Sequence, residues 1–339
     1  MMSVNEARTR QDLIDPALIQ AGWNVTDGAQ VGIEIPVDGY DAEPWNGVTD
    51  YCLYQPNGEI IAVVEAKKQV RDPNVAREQA RHYITEIATH QSFQPFAFLT
   101  NGLDMYFWDE QYAAPRLVAG FFTLKDLERL LWLRQNATPL SATLIDAHIA
   151  GRLYQQEAIR RLCDDFTRGK RRALLVMATG TGKTRTTVAL IDLFLRANHA
   201  RKILFLADRD SLVDQALTDG FHTFLPNETS DRIYTHTIDK KKRLYVATLQ
   251  TLSRCYASFN PGFFDLIVFD EAHRSIFNRV SDVMDYFDAR MIGLTATPAG
   301  FIDRDTFRVF HCDDKTPTAL YTYNEAVQAG YLVDFSLYQ

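Results

Sequence analysis

The chain of 339 residues carries 36 Lys and Arg against 43 Asp and Glu, a formal net charge of −7. This length accommodates two ordinary domains, each with its own core. The sequence shows neither an apolar run long enough to cross a bilayer nor a signal peptide, and its four cysteines form no CxxC pair. We therefore expect a reduced, cytoplasmic protein with no membrane contact, disulfides or zinc.

The first feature in chain order is a predicted hairpin. An apolar strand follows Asp50 to residue 54, residues 55–58 (QPNG) form a turn, and a second strand ends in Glu65-Ala-Lys67. The hairpin places Asp50 beside Glu65, with Lys67 on the same strand face because side chains alternate with period two. Two carboxylates and an amine at a strand end suit a Mg²⁺ site for phosphodiester hydrolysis.

A helix is predicted next, from residue 73 to about 89, with Gln79 and Tyr83 one turn apart on one face. A second hairpin follows, with strands at 96–100 and 104–109 joined by an Asn-Gly turn. A polar, proline-containing stretch at 135–143 then marks a domain boundary. We predict an N-terminal domain over 1–136 and a linker over 137–151.

The N-terminal motifs resemble the PD-(D/E)xK nucleases. The series Asp50…Glu65-x-Lys67 followed by a QxxxY motif is similar to the start of the R subunits of type I restriction enzymes, although threonine replaces the usual proline before Asp50. The resemblance implies that Asp50 and Glu65 hold the metal, that Lys67 stabilises the pentavalent phosphate, and that Gln79 and Tyr83 complete the site. It also suggests an accessory role for Glu6. An ordinary surface hairpin and a solvated glutamate remain open alternatives.

The most specific motif is residues 177–184, MATGTGKT, between an apolar strand at 173–177 and a helical pattern at 188–195. Such a strand–loop–helix unit predicts a phosphate-binding loop, because glycines let backbone N–H groups curl around phosphates at a helix N-terminus. Methionine stands where the strict pattern has its first glycine. We expect nucleotide contacts from Thr179, Gly180, Thr181, Gly182 and Lys183, and a Mg²⁺ contact from Thr184.

A series of strands follows the loop. We predict strands at 203–207, 244–248, 265–270 and 291–295, each running into a polar or small-residue turn. The third strand ends in Asp270, Glu271 and, two residues on, His273. A carboxylate at the C-terminal end of such a strand lies near the phosphate loop, so Asp270 is expected to bind Mg²⁺ and Glu271 to activate water.

The order of these segments resembles the superfamily 2 helicases and translocases. Residues 177–184, 207–215, 248–251, 270–273 and 295–297 are similar to that family's motifs I, Ia, Ib, II and III. The resemblance implies that Gln155 reads adenine and Tyr154 stacks on it, although a plain helix start explains both. It further implies that Thr251 and the Asp208–Arg209 turn touch DNA phosphates, while Thr295 and Thr297 couple hydrolysis to movement.

The chain is thus predicted to be α/β, with a PD-(D/E)xK nuclease-like domain followed by a parallel-sheet, RecA-like phosphate-loop domain at 152–320. Residues 321–339, a predicted helix and strand, resemble the connector to a second RecA-like domain. We expect ATP and Mg²⁺ binding but little DNA-stimulated turnover from these residues alone. The family resemblance implies double-stranded DNA and the methyltransferase and specificity subunits as partners.

Three interpretations stay open on the sequence. The chain is the front part of a type I restriction R subunit, a translocase fragment with an inactive nuclease-like domain, or a truncated module that binds the methyltransferase complex. A type III restriction subunit is disfavoured because its nuclease follows the motor. Because residues 1–140 hold 11 basic against 19 acidic residues, DNA contacts are expected only at clusters such as 168–172 and 240–243.

Overall fold

A computed structural model describes residues 10–37, 47–66, 77–270, 277–297, 302, 304–312 and 315–334. The chain divides into two compact units. The first runs to Leu131 and takes in two later segments, Asn260–Phe263 and Asp285–Asp288, while the second comprises the rest. The predicted limits at 136, 151 and 320 stay predictions, but residues Leu140, Ile149 and Ala150 of the predicted linker are buried in the core of the second unit.

The first unit is built on a six-stranded sheet in the order β1-β2-β3-β4-β5-β6. Strands β3 and β4 pair in parallel, and the other neighbours are antiparallel. Its elements in chain order are helix α1 (Asp15–Gln20), β1 (Val31–Pro36), β2 (Val48–Tyr54), β3 (Ile60–Ala66), helix α2 (Arg77–Ile87), β4 (Phe96–Thr100), β5 (Met105–Trp108), β6 (Arg116–Leu117) and helix α3 (Leu124–Asn136). A π-helical turn, Arg10–Ile14, leads into α1.

Alternation along β3 divides the first unit's apolar side chains between the two sheet faces. Ala62 and Val64 belong to a large core that includes residues of α1 and α3. Val63 belongs to a smaller core with Ala80 and Ile84 of α2. Period-two alternation in a strand covered on both faces gives this division, and it fixes which face each carboxylate of the hairpin occupies.

Both predicted hairpins are present. The β2–β3 turn is closed by a hydrogen bond from the Gln55 N–H to the Glu59 carbonyl, and Gly58 takes a φ of +87° that favours glycine. In the β4–β5 turn the Asn101 side chain accepts hydrogen bonds from the N–H groups of Leu103 and Asp104. Gly102 takes a φ of +88°, which favours glycine, so the Asn side chain and the Gly backbone both stabilise this turn.

The second unit is built on a seven-stranded, fully parallel sheet in the order β13-β7-β12-β11-β8-β10-β9. Its strands are β7 (Arg172–Met177), β8 (Ile203–Ala207), β9 (Ser230–Arg232), β10 (Leu244–Thr248), β11 (Leu266–Phe269), β12 (Arg290–Thr295) and β13 (Ala319–Tyr321). Its helices are α4 (Leu153–Thr167), α5 (Lys183–Arg196), α6 (Asp210–Gln215), α7 (Leu249–Cys255), α8 (Phe277–Tyr286), α9 (Arg304–Val309) and α10 (Tyr323–Gln328). The predicted parallel α/β class is therefore confirmed.

The strand predicted after helix α10 is wrong for the described residues, which contain only a turn from Ala329 to Asp334. Gly330 adopts a φ of +74°, and the N–H groups of Tyr331 and Leu332 both return to the Ala326 carbonyl. These bonds terminate the helix and consume the donors that a strand would need.

The four cysteines are buried, and no two of them form a disulfide bond. Within the described part of the chain, no helix is long and apolar enough to cross a membrane.

Candidate functional site

Asp50 and Glu65 lie on adjacent strands at the same end of the first sheet. Strands β2 and β3 pair Tyr51 with Val64, and the next pair in that register is Asp50 and Glu65. Both side chains share the face on which Cys52 and Val63 pack near α2. Glu65 is only 1% exposed, and one Asp50 carboxylate oxygen accepts the Ala66 N–H at 2.7 Å. The two carboxylates are thus brought together.

Arg10 is a neighbour of this carboxylate pair that no sequence pattern predicted. Its guanidinium lies 3.7 Å from the second Asp50 oxygen and donates a 2.7 Å hydrogen bond to Glu34. Burial opposes the charge of Arg10, but the Glu34 hydrogen bond and the Asp50 charge outweigh burial and raise its pKa. Arginine in an irregular turn 40 residues from its partner carries no sequence pattern.

The predicted Gln79 and Tyr83 pair is tied to the same strand. Gln79 donates a 2.7 Å hydrogen bond to the Tyr83 hydroxyl, and that hydroxyl donates to the Val48 carbonyl at 3.3 Å. Val48 begins β2, two residues before Asp50. Tyr83 is almost fully buried, so the pair fixes α2 against the strand that carries the metal-ligand candidate.

Cys52 is a buried residue on the same sheet face as the carboxylate pair. Burial raises the pKa of its thiol to about 11, with a lowering contribution from its hydrogen bond to Thr49 and a raising one from Glu65. Lys67 and Glu6, both predicted site residues, lie outside the described residues. In the described ranges, no group of three or more His, Cys, Asp or Glu side chains is arranged so that it could hold a metal ion.

The phosphate loop lies between β7 and α5 in the second unit. Gly180 and Gly182 adopt φ values of +83° and +88°, which favour glycine. A Cβ on Gly182 would stand 2.6 Å from the Gln155 amide nitrogen. Thr179 is exposed, while Thr181 is buried and donates its hydroxyl to the Ala178 carbonyl at 2.5 Å. This backbone fits a phosphate cradle, because Cβ atoms are missing where the chain must curl most tightly.

Tyr154 and Gln155 both donate to the carbonyl of Thr181, at 2.7 and 3.2 Å. The start of helix α4 is therefore bonded directly to the phosphate loop. The Tyr154 ring also stacks on Tyr321, with centroids 3.8 Å apart and planes 6° from parallel. The sequence offered no signal for this second tyrosine, which arrives on edge strand β13.

The remaining predicted residues of the nucleotide site lie at the carboxyl edge of the parallel sheet. Lys183 and Thr184 open helix α5 directly after the loop. Asp270 follows β11, is 9% exposed and donates its N–H to the Leu206 carbonyl at 2.7 Å. Strand β12 separates β7 from β11 and ends in the buried Thr295. Glu271 and His273 lie outside the described residues.

The two predicted DNA-contact segments of the same edge are held by local polar contacts. Thr248 caps helix α7 by accepting the Thr251 N–H, and the two hydroxyls lie 2.9 Å apart. Arg209 lies 3.6 Å from Asp208. At the end of β12, the Thr295 hydroxyl accepts the Thr297 N–H at 3.1 Å.

The two basic clusters occupy the opposite, amino edge of the sheet, just before β7 and β10. Lys170 pairs with Asp165 at 2.9 Å, and Arg243 pairs with Glu228 at 2.7 Å. Lys240 donates to the Ser258 carbonyl. These cations stabilise turns of the second unit. Their position therefore has a structural explanation that does not require binding of nucleic acid.

Two protein-family models match the chain, one in each part. The family described as "Type I restriction enzyme R protein N terminus" matches residues 40–116, and "Type III restriction enzyme, res subunit" matches residues 148–300. The EcoAI endonuclease subunit of a type I restriction enzyme from Escherichia coli is 30% identical over 369 residues, covering 99% of this chain and 44% of its own length.

These matches support a similarity of the chain to the N-terminal portion of the type I restriction enzyme R subunits. The EcoKI endonuclease subunit from Escherichia coli K12 is 36% identical over 212 residues, covering 54% of this chain and 17% of its own. A solved fragment of an HsdR subunit from Vibrio vulnificus YJ016 is 26% identical and covers 96% of this chain and 61% of that fragment, with a TM-score of 0.42. The chain spans less than half the length of the two curated relatives named here.

Proposed function

We propose that this chain combines a Mg²⁺-dependent DNA endonuclease site with the first motor domain of an ATP-driven translocase of double-stranded DNA. Its expected partners are the methyltransferase and specificity subunits of a restriction–modification complex. The proposal depends on one observation. Asp50 and Glu65 lie side by side on adjacent strands, in a chain that also contains a phosphate loop. The similarity to two proteins named as type I restriction endonuclease subunits supports it.

Contacts within the first unit hold Asp50 and its strand in place. The Ala66 N–H holds one Asp50 oxygen, and the Gln79–Tyr83 pair holds the start of the same strand. Burial of Glu65 makes an adjacent positive charge favourable. We assign Asp50 and Glu65 as the metal-holding residues and Lys67 as the cation beside the scissile phosphate. Bound Mg²⁺ would supply charge stabilisation to the phosphate and a more acidic water.

The second unit would bind ATP through backbone N–H groups of residues 179–182 and the N-terminus of α5. Lys183 would neutralise the terminal phosphates, and Thr184 and Asp270 would hold Mg²⁺. Glu271 would orient the attacking water. Tyr154 and Gln155 would contact the base, because both already bond to the loop that takes the phosphates.

The test measures DNA cleavage and ATP hydrolysis in parallel, using the native subunit assembled with its methyltransferase partner. Glu65→Gln is expected to abolish cleavage and leave ATP hydrolysis intact, while Lys183→Ala abolishes both. Glu59→Gln, on the same hairpin, serves as the control for removing a nearby carboxylate. Cleavage that survives Glu65→Gln at the rate of the unsubstituted enzyme would favour a translocase with an inactive nuclease-like domain.

A further inference from the structure

The stacked pair Tyr154 and Tyr321 lies beside the phosphate loop. Tyr154 is anchored by its hydroxyl to the Thr181 carbonyl, and the Tyr321 carbonyl accepts the Ala178 N–H at 3.0 Å. Tyr321 ends edge strand β13, in register with Met177 at the end of β7. The two rings therefore meet directly beside the residues that would hold the phosphates.

The neighbours of Tyr154 limit where a nucleobase could stack on it. Tyr331 approaches the Tyr154 ring edge-on, at a centroid distance of 5.1 Å. Arg152 donates to the Tyr154 hydroxyl at 2.8 Å and lies over the Tyr331 ring. Tyr321 covers a whole face of Tyr154, so a base that uses that face must compete with Tyr321.

The contact between the two tyrosines is a weak one for its size. Aromatic pairs prefer an offset or edge-to-face arrangement with centroids about 4.5–7 Å apart, whereas these rings overlap almost face to face at 3.8 Å. The Tyr321 hydroxyl is buried and has no hydrogen-bond partner among the described residues. Leaving such a group unpaired is unfavourable, so the stack gains less than its area suggests.

Tyr321 also carries the segment that follows it. Helix α10 begins at Tyr323, and Leu332 of the subsequent turn lies against the phosphate loop, 3.2 Å from where a Cβ of Gly180 would stand. Displacement of Tyr321 from Tyr154 would therefore release one of several contacts between residues 319–334 and the loop.

We propose that Tyr321 is a displaceable occupant of the nucleobase position, which competes with the base of a nucleoside triphosphate for the face of Tyr154. Base binding then moves the Tyr321 ring away, exposes its hydroxyl to a hydrogen-bonding partner, and signals to residues 319–334 that a nucleotide, rather than a bare phosphate chain, has bound. This inference rests on the proposed nucleotide site.

The test compares dissociation constants for MgATP and for magnesium tripolyphosphate, which lacks the base and sugar, by calorimetry on the 339-residue chain. Removing the competing ring in Tyr321→Ala should tighten MgATP binding roughly two- to tenfold, the range set by one aromatic pair. Tyr321→Phe keeps the ring and removes the unpaired hydroxyl, so it should strengthen the stack and weaken MgATP binding. Neither substitution should change the affinity for tripolyphosphate.

Tyr234 is an exposed tyrosine that follows β9, at the opposite end of the strand order from β13. Tyr234→Ala is the matched control and should leave both dissociation constants unchanged. Weaker MgATP binding in Tyr321→Ala, or no change, would overturn the inference, because Tyr321 would then be a wall of the base site or a bystander. If the unsubstituted chain binds neither MgATP nor tripolyphosphate, the nucleotide site itself fails. Thermal unfolding of each variant confirms that a lost affinity is not lost folding.

Discussion

Gln79 donates a 2.7 Å hydrogen bond to the hydroxyl of Tyr83, and through Tyr83 it holds the carbonyl at the start of strand β2. Val48 lies two residues before Asp50 on that strand. Gln79 and Tyr83 are therefore positioning residues, which act on the carboxylate pair through the backbone of residues 48–50.

Tyr83→Phe is expected to slow DNA cleavage by roughly tenfold to a hundredfold, the range typical of groups that orient metal ligands. ATP hydrolysis should be unchanged, since the second unit contains its own site. A divalent-cation titration of the cleavage rate separates positioning of Asp50 from general stability. A misplaced Asp50 raises the cation concentration that gives half the maximal rate, whereas a general loss of stability would leave that concentration unchanged. Gln79→Ala should act in the same direction with a smaller effect.

Gly182→Ala should abolish MgATP binding. The added Cβ meets the Gln155 amide at 2.6 Å, in a backbone conformation that alanine rarely adopts. Gly169→Ala is the matched control, because Gly169 has a φ of +89° but no atom within 4 Å of the added Cβ. Both variants should lose about 1 kcal/mol of stability from backbone strain. Only Gly182→Ala should lose the nucleotide, as measured by calorimetry.

Arg116 and Asp288 form a largely buried pair within the first unit, joined by two hydrogen bonds of 2.7 and 2.6 Å. Burial disfavours the charge of Arg116, yet the Asp288 carboxylate raises its pKa overall. Arg116→Met should reduce the free energy of unfolding by about 3–5 kcal/mol, since it removes the cation that donates two hydrogen bonds to a buried carboxylate. Adding Asp288→Leu should recover much of the loss, and denaturant unfolding of both variants measures this coupling.

Burial raises the pKa of the Cys52 thiol from 9.0 to about 11. The folded state therefore keeps the proton that the unfolded chain releases above pH 9. The resulting contribution to stability is complete below pH 9 and is lost as the pH rises to about 11, by roughly 2–3 kcal/mol. Stability measured against pH should fall less steeply in Cys52→Ala over this window. If the two curves of stability against pH run parallel, the loss of stability in this window does not come from the Cys52 thiol.

Sequence patterns predicted the parts of the fold that depend on local chemistry. Apolar runs predicted the central strands of the second sheet, and the Gly-rich loop predicted the unit around Lys183 because its geometry is encoded in consecutive residues. Period-two alternation was sufficient to place Asp50 beside Glu65, since one short turn joins their strands.

The contacts that the sequence did not predict join residues far apart in the chain. Arg10 reaches Asp50 across 40 positions, Arg116 reaches Asp288 across 172, and Tyr321 reaches Tyr154 from an edge strand. Such pairs depend on strand order and on packing of the whole sheet. The turn after helix α10 was missed for a different reason, because Gly330 ends that helix where the apolar residues Tyr331 to Val333 favoured a strand.

We expect Asp50 and Glu65 together to bind a catalytic divalent cation. The deciding experiment is binding of Mn²⁺ to the nucleotide-free chain, followed by electron paramagnetic resonance. One bound ion is expected, lost in Asp50→Asn and in Glu65→Gln and retained in Lys183→Ala, which alters the other unit. Mn²⁺ binding that is unchanged by both carboxylate substitutions would contradict the account and leave the first unit without a nuclease metal site.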